Sequence, residues 1–321
     1  MRQAARTPPM ETGLTLIEIL VSLVIAVFIV AGALSVFAHA NTAYRTSTAV
    51  RALEATARLA LTPLSTDIEL AGFWGLTNRA TAITGRAEAA TGIPVANDCG
   101  NNWAIDLDRP VDGNNNAYAW SCKPYSNAVM TGADTLVVRH ADNLAAGSLV
   151  AGRLYLETNR FGGGRLFVGP GSGGSFGALI QTHALVTRGY YVSTTSALSA
   201  PGNRVPSLRL KRLTRSAAGA RIIDEEVQPG VEDIQFEYGI DIDPPDAPGF
   251  GSIDAYVNAD ALRSGHRIVA VRIWLLMRSL LRENGYTRAP ALRYADRYFA
   301  SQDDGYRRAV VSTTVFVRNA Y

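Results

Sequence analysis

The sequence predicts an α+β protein in which one long N-terminal helix packs on a mainly antiparallel β-sheet domain. The first observation is an apolar stretch from Leu14 to Ala38, which does not end in a turn but continues into a segment with helical periodicity. The second is a series of strand-like segments after Gly72, separated by Gly, Pro, Asn and Asp. A helix followed by a run of strands is the order typical of α+β domains.

The helix is predicted to run from Leu14 to about Leu70. Its first half is long enough to cross a bilayer, which takes about 20 apolar residues. In its second half apolar residues recur at spacings of three and four, which predicts a one-sided helix; they are Val50, Leu53, Ala57, Ala60 and Leu64. Gly72 is a candidate helix stop and Pro63 a candidate kink.

The strand-like segments are rich in Val, Ile, Leu and aromatic residues. They are 135–140, 149–157, 165–168, 185–192, 208–213, 221–227, 234–240, 268–278 and 309–318. Segments 79–116 and 240–261 are predicted to be long loops, where contacts with partners concentrate. The chain therefore divides into a leader (1–13), an apolar half-helix (14–38), an amphipathic half-helix (39–72) and a β-rich domain (73–321).

The length and composition of the chain limit the classes of function that it can have. A chain of 321 residues suffices for one large domain with appendages. The formal net charge is +3, and the basic residues are almost all arginines scattered singly along the chain. This distribution resembles a solvated surface and lacks the basic stripe of a nucleic-acid-binding protein, so no direct nucleic acid binding is expected.

The N-terminus carries the most specific signal. The polar leader MRQAARTPPMETG contains Arg2 and Arg6, and the positive-inside rule places it in the cytoplasm. Glu18 interrupts the apolar stretch, where an ionisable side chain costs about 2.5–3.5 kcal/mol and is a functional candidate. The alternative is that Glu18 lies near the lipid headgroups and has no role.

The sequence Gly13-Leu14-Thr15-Leu16-Ile17-Glu18 resembles the leader-cleavage motif of type IV prepilins and type II secretion pseudopilins. Leu14 occupies a position that is often Phe in that family. The resemblance implies that an aspartyl prepilin peptidase cuts between Gly13 and Leu14 and methylates the new N-terminus of Leu14. It also implies that Glu18, fifth in the mature chain, meets the N-terminal ammonium of a neighbouring subunit during assembly.

Other parts of the chain resemble the PilW family of minor pilins: segments 58–75, 230–239 and 271–276 and the ending 317–319. This resemblance implies a type IV pilin-like fold and a structural subunit that primes assembly of a type IV pilus or sits at its tip, in adhesion, twitching motility or DNA uptake. The implied partners are the prepilin peptidase, other minor pilins, the major pilin and the inner-membrane assembly platform. The implied location is the inner membrane of a Gram-negative-type bacterium, single-pass with a cytoplasmic N-terminus, then the periplasm, pilus and cell surface.

Several alternatives remain open at this point. A type II secretion pseudopilin of the J type would share the leader and the overall fold. Ala38-His39-Ala40 has the form of an ordinary signal-peptidase site, and an uncleaved signal anchor is a third option. A membrane-anchored periplasmic enzyme or ligand-binding module is the alternative of a different class.

Cys99 and Cys122 close a short loop rich in Asn, Asp and Gly, which favours a disulfide in an oxidising compartment, with two free thiols as the alternative. Inside this loop the hard oxygen ligands of Asp106, Asp108, Asp112 and Asn114 are a candidate Ca²⁺ site, although Arg109 and Pro110 interrupt them. The group Asp241, Asp243 and Asp246 is a weaker candidate. No other cofactor is expected.

Two motif matches point to catalysis only weakly. Residues 169–174 fit G-x-G-x-x-G, but no acidic residue follows at the distance that dinucleotide binding requires. Residues 173–177 fit the G-x-S-x-G nucleophile elbow around Ser175, with His183 and His266 downstream, but that elbow belongs to a parallel α/β sheet. A flexible Gly/Ser loop is the better interpretation, and no catalytic residue is predicted.

Overall fold

A computed structural model of the chain describes residues 13, 15–87, 93–171, 179–283 and 285–320. The chain divides into two compact units, residues 1–49 and 50–321. Helix α1 spans Leu16–Leu70. It ends where the sequence predicts, because Gly72 adopts a left-handed φ of +75°, which suits glycine at a helix end.

In the second unit, one face of α1 is buried. The predicted stripe is confirmed from Leu53 onward: Leu53 is 7% exposed, and Ala57, Ala60 and Leu64 are fully buried. Residues at these spacings share one helix face, so they pack as a continuous ridge against the sheets. Leu59, on the opposite face, is 66% exposed.

Eight strands form the larger sheet. They are β1 (Ile83–Thr84), β2 (Val111–Asn114), β3 (Thr135–Ala145), β4 (Leu154–Asn159), β5 (Gly164–Val168), β6 (Ile180–Ser193), β7 (Ser207–Ser216) and β8 (Gly219–Pro229). The order along one path is β1-β5-β4-β6-β3-β2, and β7 joins β6 to β8. Neighbours pair antiparallel except β1 with β5.

Four strands form a second sheet: β9 (Val231–Asp241), β10 (Ala255–Val257), β11 (Arg267–Arg278) and β14 (Arg308–Phe316). Their order is β10-β9-β11-β14, all antiparallel. A separate hairpin consists of β12 (Leu292–Tyr294) and β13 (Arg297–Phe299). Short 3₁₀ helices span Ala80–Ala82, Trp103–Ile105, Tyr125–Asn127 and Ala259–Ala261.

Two hydrophobic cores lie on opposite faces of the larger sheet. Leu136 and Val138 of β3 belong to the first core, together with the buried stripe of α1 and residues of β9, β11 and β14. Val137, between them, belongs to the second core with Trp103 and Ile105. Successive strand side chains point to opposite faces, which is why one strand supplies both cores.

The predicted fold class is confirmed, and all nine predicted strands are present, although the segment predicted from Leu149 becomes a strand only at Leu154. The prediction of a long loop over 79–116 is wrong, because this segment contains β1 and β2, and its buried residues Trp103 and Leu107 belong to the second core. Segment 240–261 likewise contains β10. Apolar residues such as Trp103 and Leu107 are present in this segment because they pack against the face of the larger sheet that forms the second core.

A disulfide joins Cys99 to Cys122, as favoured by the sequence, and Cys99 is only 2% exposed. The Tyr118 hydroxyl lies 3.4 Å from Cys122 Sγ, and the Tyr118 ring makes an edge-to-face contact with Trp120 at 5.0 Å. The bridge therefore fixes a segment that covers the second core.

The double variant Cys99→Ser/Cys122→Ser should lose about 3 kcal/mol of unfolding free energy, because the unfolded chain regains the entropy of the closed loop. Urea denaturation of the full-length chain in detergent measures this. The control is reductant, which should lower the stability of the parent and leave the double variant unchanged. A loss under about 0.5 kcal/mol would mean that native packing alone holds the segment.

Candidate functional site

The first unit contains an apolar helix, and the carboxylate of Glu18 takes part in the cap at its N-terminus. The N–H of Thr15 donates to Glu18 Oε2 at 2.9 Å, and the Thr15 hydroxyl donates to the same oxygen at 2.7 Å. The Glu18 N–H in turn donates to Thr15 Oγ1 at 3.4 Å. This reciprocal pattern is a capping box, with Thr15 as N-cap and Glu18 at the third helical position.

The capping box gives Glu18 a local role that the sequence interpretation did not include. Glu18 is exposed, and both bonds from Thr15 end on one carboxylate oxygen. Its charge also lies in the first turn, where the helix dipole favours an anion. Of the predicted cleavage site, Gly13 is exposed, and Leu14 lies outside the described residues.

The helix behind Glu18 is apolar on all sides. By length and composition α1 contains a segment that could cross a membrane, near the N-terminus. Its large apolar side chains are exposed within the unit, for example Leu23, Phe28 and Phe37 at 60%, 74% and 68%. A surface of this kind is stable in lipid or against other apolar helices.

In the second unit, Asp67 ties the helix to β6. Asp67 is 1% exposed, on the buried face of α1. Its Oδ1 accepts a bond from Arg188 Nη1 at 2.6 Å, and its Oδ2 accepts one from the Tyr190 hydroxyl at 2.6 Å. His140 Nε2 lies 3.6 Å from Oδ1. A buried carboxylate with these partners fixes both the position and the rotation of the helix on the sheet.

The surroundings favour one ionisation pattern in this cluster. Burial, together with the Asp67 charge, raises the pKa of Tyr190 well above its ordinary value, so Tyr190 stays a neutral donor. Burial by itself would lower the pKa of Arg188, but the negative charge of Asp67 and its hydrogen bond together have the larger effect, and the pKa of Arg188 is raised. The result is a hydrogen-bonded ion pair at the helix–sheet junction.

Sequence reasoning did not identify Asp67 as a functional residue. The signal was present, since Asp67 falls three residues after Leu64 on the apolar stripe, where a carboxylate is as unexpected as Glu18 is in the first half of the helix. Its partners could not be found in this way, because Arg188 and Tyr190 lie 121 and 123 residues further along the chain.

The C-terminal segment is tied to the last turn of α1. The Arg318 N–H donates to the Glu69 carbonyl at 3.2 Å, and Arg318 Nη2 lies 2.6 Å from Glu69 Oε2. The Asn319 side chain also reaches the Glu69 carbonyl, at 3.5 Å. These contacts involve the ending 317–319, one of the segments that resembled the PilW family.

The predicted calcium residues do not converge on a single point. Asp108 pairs with Arg86 at 3.1 Å, while Asp106 and Asp112 lie 3.9 and 3.8 Å from Arg109. The Asn114 side chain donates to Thr135 Oγ1 at 2.9 Å. The three carboxylates thus each face an arginine, while Asn114 contributes its side-chain N–H, and not its oxygen, to its contact.

The second predicted acidic group has a different third member in the structure. Among the described residues, Asp254 rather than Asp246 joins Asp241 and Asp243 in a cluster with metal-ligand spacing. Asp241 already accepts bonds from the N–H groups of Gly251 and Asp243, both at 2.9 Å, and pairs with Arg267. These bonds account for its burial without a cation.

The enzyme alternative rests on Ser175, His183 and His266 as candidate catalytic residues. Ser175 and residues 172–178 lie outside the described residues. His183 is buried, and its Nδ1 lies 2.8 Å from the Asp142 carbonyl. His266 Nδ1 accepts a bond from the Arg263 N–H at 3.2 Å. Both histidines thus make structural contacts with the backbone.

Comparison with known proteins gives one finding. Residues 189–319 match the family model of the type IV pilus-assembly protein W, PilW. The match begins within β6 and includes all four strands of the second sheet and the residues that contact Glu69. No curated protein and no solved structure matches the chain. Over residues 189–319, this chain matches the PilW family of type IV pilus-assembly proteins.

Proposed function

We propose that this chain is a minor pilin, a structural subunit that primes assembly of a type IV pilus or sits at its tip. The leader is removed between Gly13 and Leu14, and the apolar half of α1 anchors the chain in the inner membrane and later in the filament. The β-rich second unit then contacts other minor pilins and the major pilin. No catalytic step and no cofactor enter this role.

One observation carries the proposal. A chain that matches the pilus-assembly family over residues 189–319 begins its long apolar helix three residues after Gly13, with Glu18 in the first turn. The family match favours a pilus over a secretion pseudopilus. A helix long and apolar enough to cross a membrane supports an envelope location and contact with the prepilin peptidase and the inner-membrane assembly platform.

The test is the intact mass and N-terminal sequence of the full-length protein taken from its native membrane fraction. We expect a chain that starts at Leu14 and carries one extra methyl group. A peptidase-deficient strain is the control, and there the chain should start at Met1. If the chain from the competent strain starts at Met1 or Asn41, it is an uncleaved anchor or a secreted protein, and the minor-pilin proposal fails.

A further inference from the structure

Strand β14 lies at the end of the second sheet. Its described neighbour is β11, with continuous pairing from Arg278 opposite Arg308 to Ala270 opposite Phe316. No register shift interrupts these pairs. The alternation of inward and outward main-chain groups therefore holds along the whole strand.

Hydrogen bonds beyond both ends of the strand fix which residues point outward. The Val317 N–H donates to the Val269 carbonyl at 2.9 Å, and the Ser279 N–H donates to the Arg307 carbonyl at 2.9 Å. Odd-numbered residues thus face β11. The N–H and C=O groups that point away from β11 belong to Arg308, Val310, Ser312, Thr314 and Phe316.

This edge lacks the features with which proteins block strand addition. Arg308, the first residue of the strand, is buried and pairs with Glu232 and Asp304. Residues 309–316 read AVVSTTVF and contain neither a charged residue nor a proline. Strand β8, the long edge strand of the other sheet, instead carries Arg221, Asp224, Glu225 and Glu226. Charged residues and prolines are the usual protection of an exposed edge, so β8 is protected and β14 is open.

A groove runs along the open edge. It has a volume of about 420 Å³ and lies between residues 313–316 of β14 and the residues Ser65 and Glu69 of α1, and Arg318, which pairs with Glu69, also lines it. The bond from the Arg318 N–H to the Glu69 carbonyl closes one end. Thr314 and Phe316 are exposed along it, with Phe316 at 62%, and Ser312 is exposed further along the strand.

We propose that this edge is a docking site for an extended, uncharged segment of another pilus component, which adds to the second sheet as a fifth strand. A row of unpaired main-chain groups is matched by the main chain of another strand. The uncharged side chains of residues 309–316 offer no ion pair to a charged strand. This inference rests on the proposed function, because that function supplies the other pilus components as partners. The outward backbone groups of β14 and the uncharged side chains of residues 309–316 thus define the partner.

The first test is site-specific photo-cross-linking of the full chain in its own host. A photoreactive residue at Thr314 should give an adduct with an extended segment of another pilus component, identified by mass spectrometry. The same residue at Glu225, whose side chain is 42% exposed on β8, should give no such adduct. No adduct at Thr314, an adduct with a second copy of this chain, or one with a partner's helix would overturn the proposal.

The second test removes one outward hydrogen bond. With the photoreactive residue moved to Ser312, Thr314→Pro should abolish the adduct, because proline lacks the N–H that faces the partner, and its bonds to β11 are unaffected. The matched variant Thr314→Val keeps that N–H and should retain the adduct. Equal adduct yields from the two variants, at equal thermal stability, would contradict the proposal. Processing at Leu14 without any adduct rejects this inference and leaves the minor-pilin function standing.

Discussion

Asp67→Ala is expected to lower the free energy of unfolding by about 3–5 kcal/mol, because it leaves the charge of Arg188 without its partner at a half-buried site. The Tyr190 hydroxyl, fully buried, also loses its acceptor. Urea denaturation of the full-length chain in detergent measures the change. Asp67→Asn keeps an oxygen for Tyr190 and should fall between the parent and Asp67→Ala.

The control for this prediction lies two residues away on the same helix. Glu69 also pairs with an arginine, Arg318, but the two side chains are 38% and 71% exposed. Glu69→Ala should therefore cost at most about 1 kcal/mol. If Asp67→Ala and Glu69→Ala destabilise the chain equally, Asp67 does not anchor the helix to the sheet.

Glu18→Gln is expected to reduce incorporation of the chain into sheared filaments by at least about tenfold under the proposed function. Removing one partner of a buried charge pair costs about 3–5 kcal/mol, and each 1.4 kcal/mol is a factor of ten. Glutamine at the third position still completes a capping box with Thr15, so the start of the helix is preserved. The measurement is the ratio of this chain in the filament and membrane fractions, by quantitative mass spectrometry.

The matched control is the same substitution at Glu54, an exposed residue of α1, which should leave incorporation unchanged. Glu18→Ala should lose incorporation as Glu18→Gln does, and it also removes the cap. If Glu18→Gln assembles normally and only Glu18→Ala fails, then Glu18 acts as a helix cap, and the charge-pairing role implied by the prepilin resemblance is wrong.

Local sequence pattern predicted the elements well because burial imposes a period on each of them. The spacing of Leu53, Ala57 and Leu64 predicted the buried face of α1, and Gly72 marked its end. Turn residues between apolar runs located the nine strands. The pattern failed over 79–116, because the apolar residues of this segment, Trp103 and Leu107 among them, follow no sustained helical or strand period that would have predicted their burial in the second core.

Local pattern along the chain was enough to predict the class of the fold, the apolar helix with Glu18 in its first turn, and the PilW resemblance of segments 230–239, 271–276 and 317–319, which lie within the family match over 189–319. The folded chain was needed to show which strands share a sheet, that Asp67 contacts Arg188 and Tyr190, and that β14 has an open edge. The difference lies in how far apart along the chain the interacting residues are. Periodicity records which side of an element is buried, but the partner of a buried charge or of a strand edge depends on the path of the whole chain, and residues as far apart as Glu69 and Asn319, separated by 250 positions, come together only when it folds.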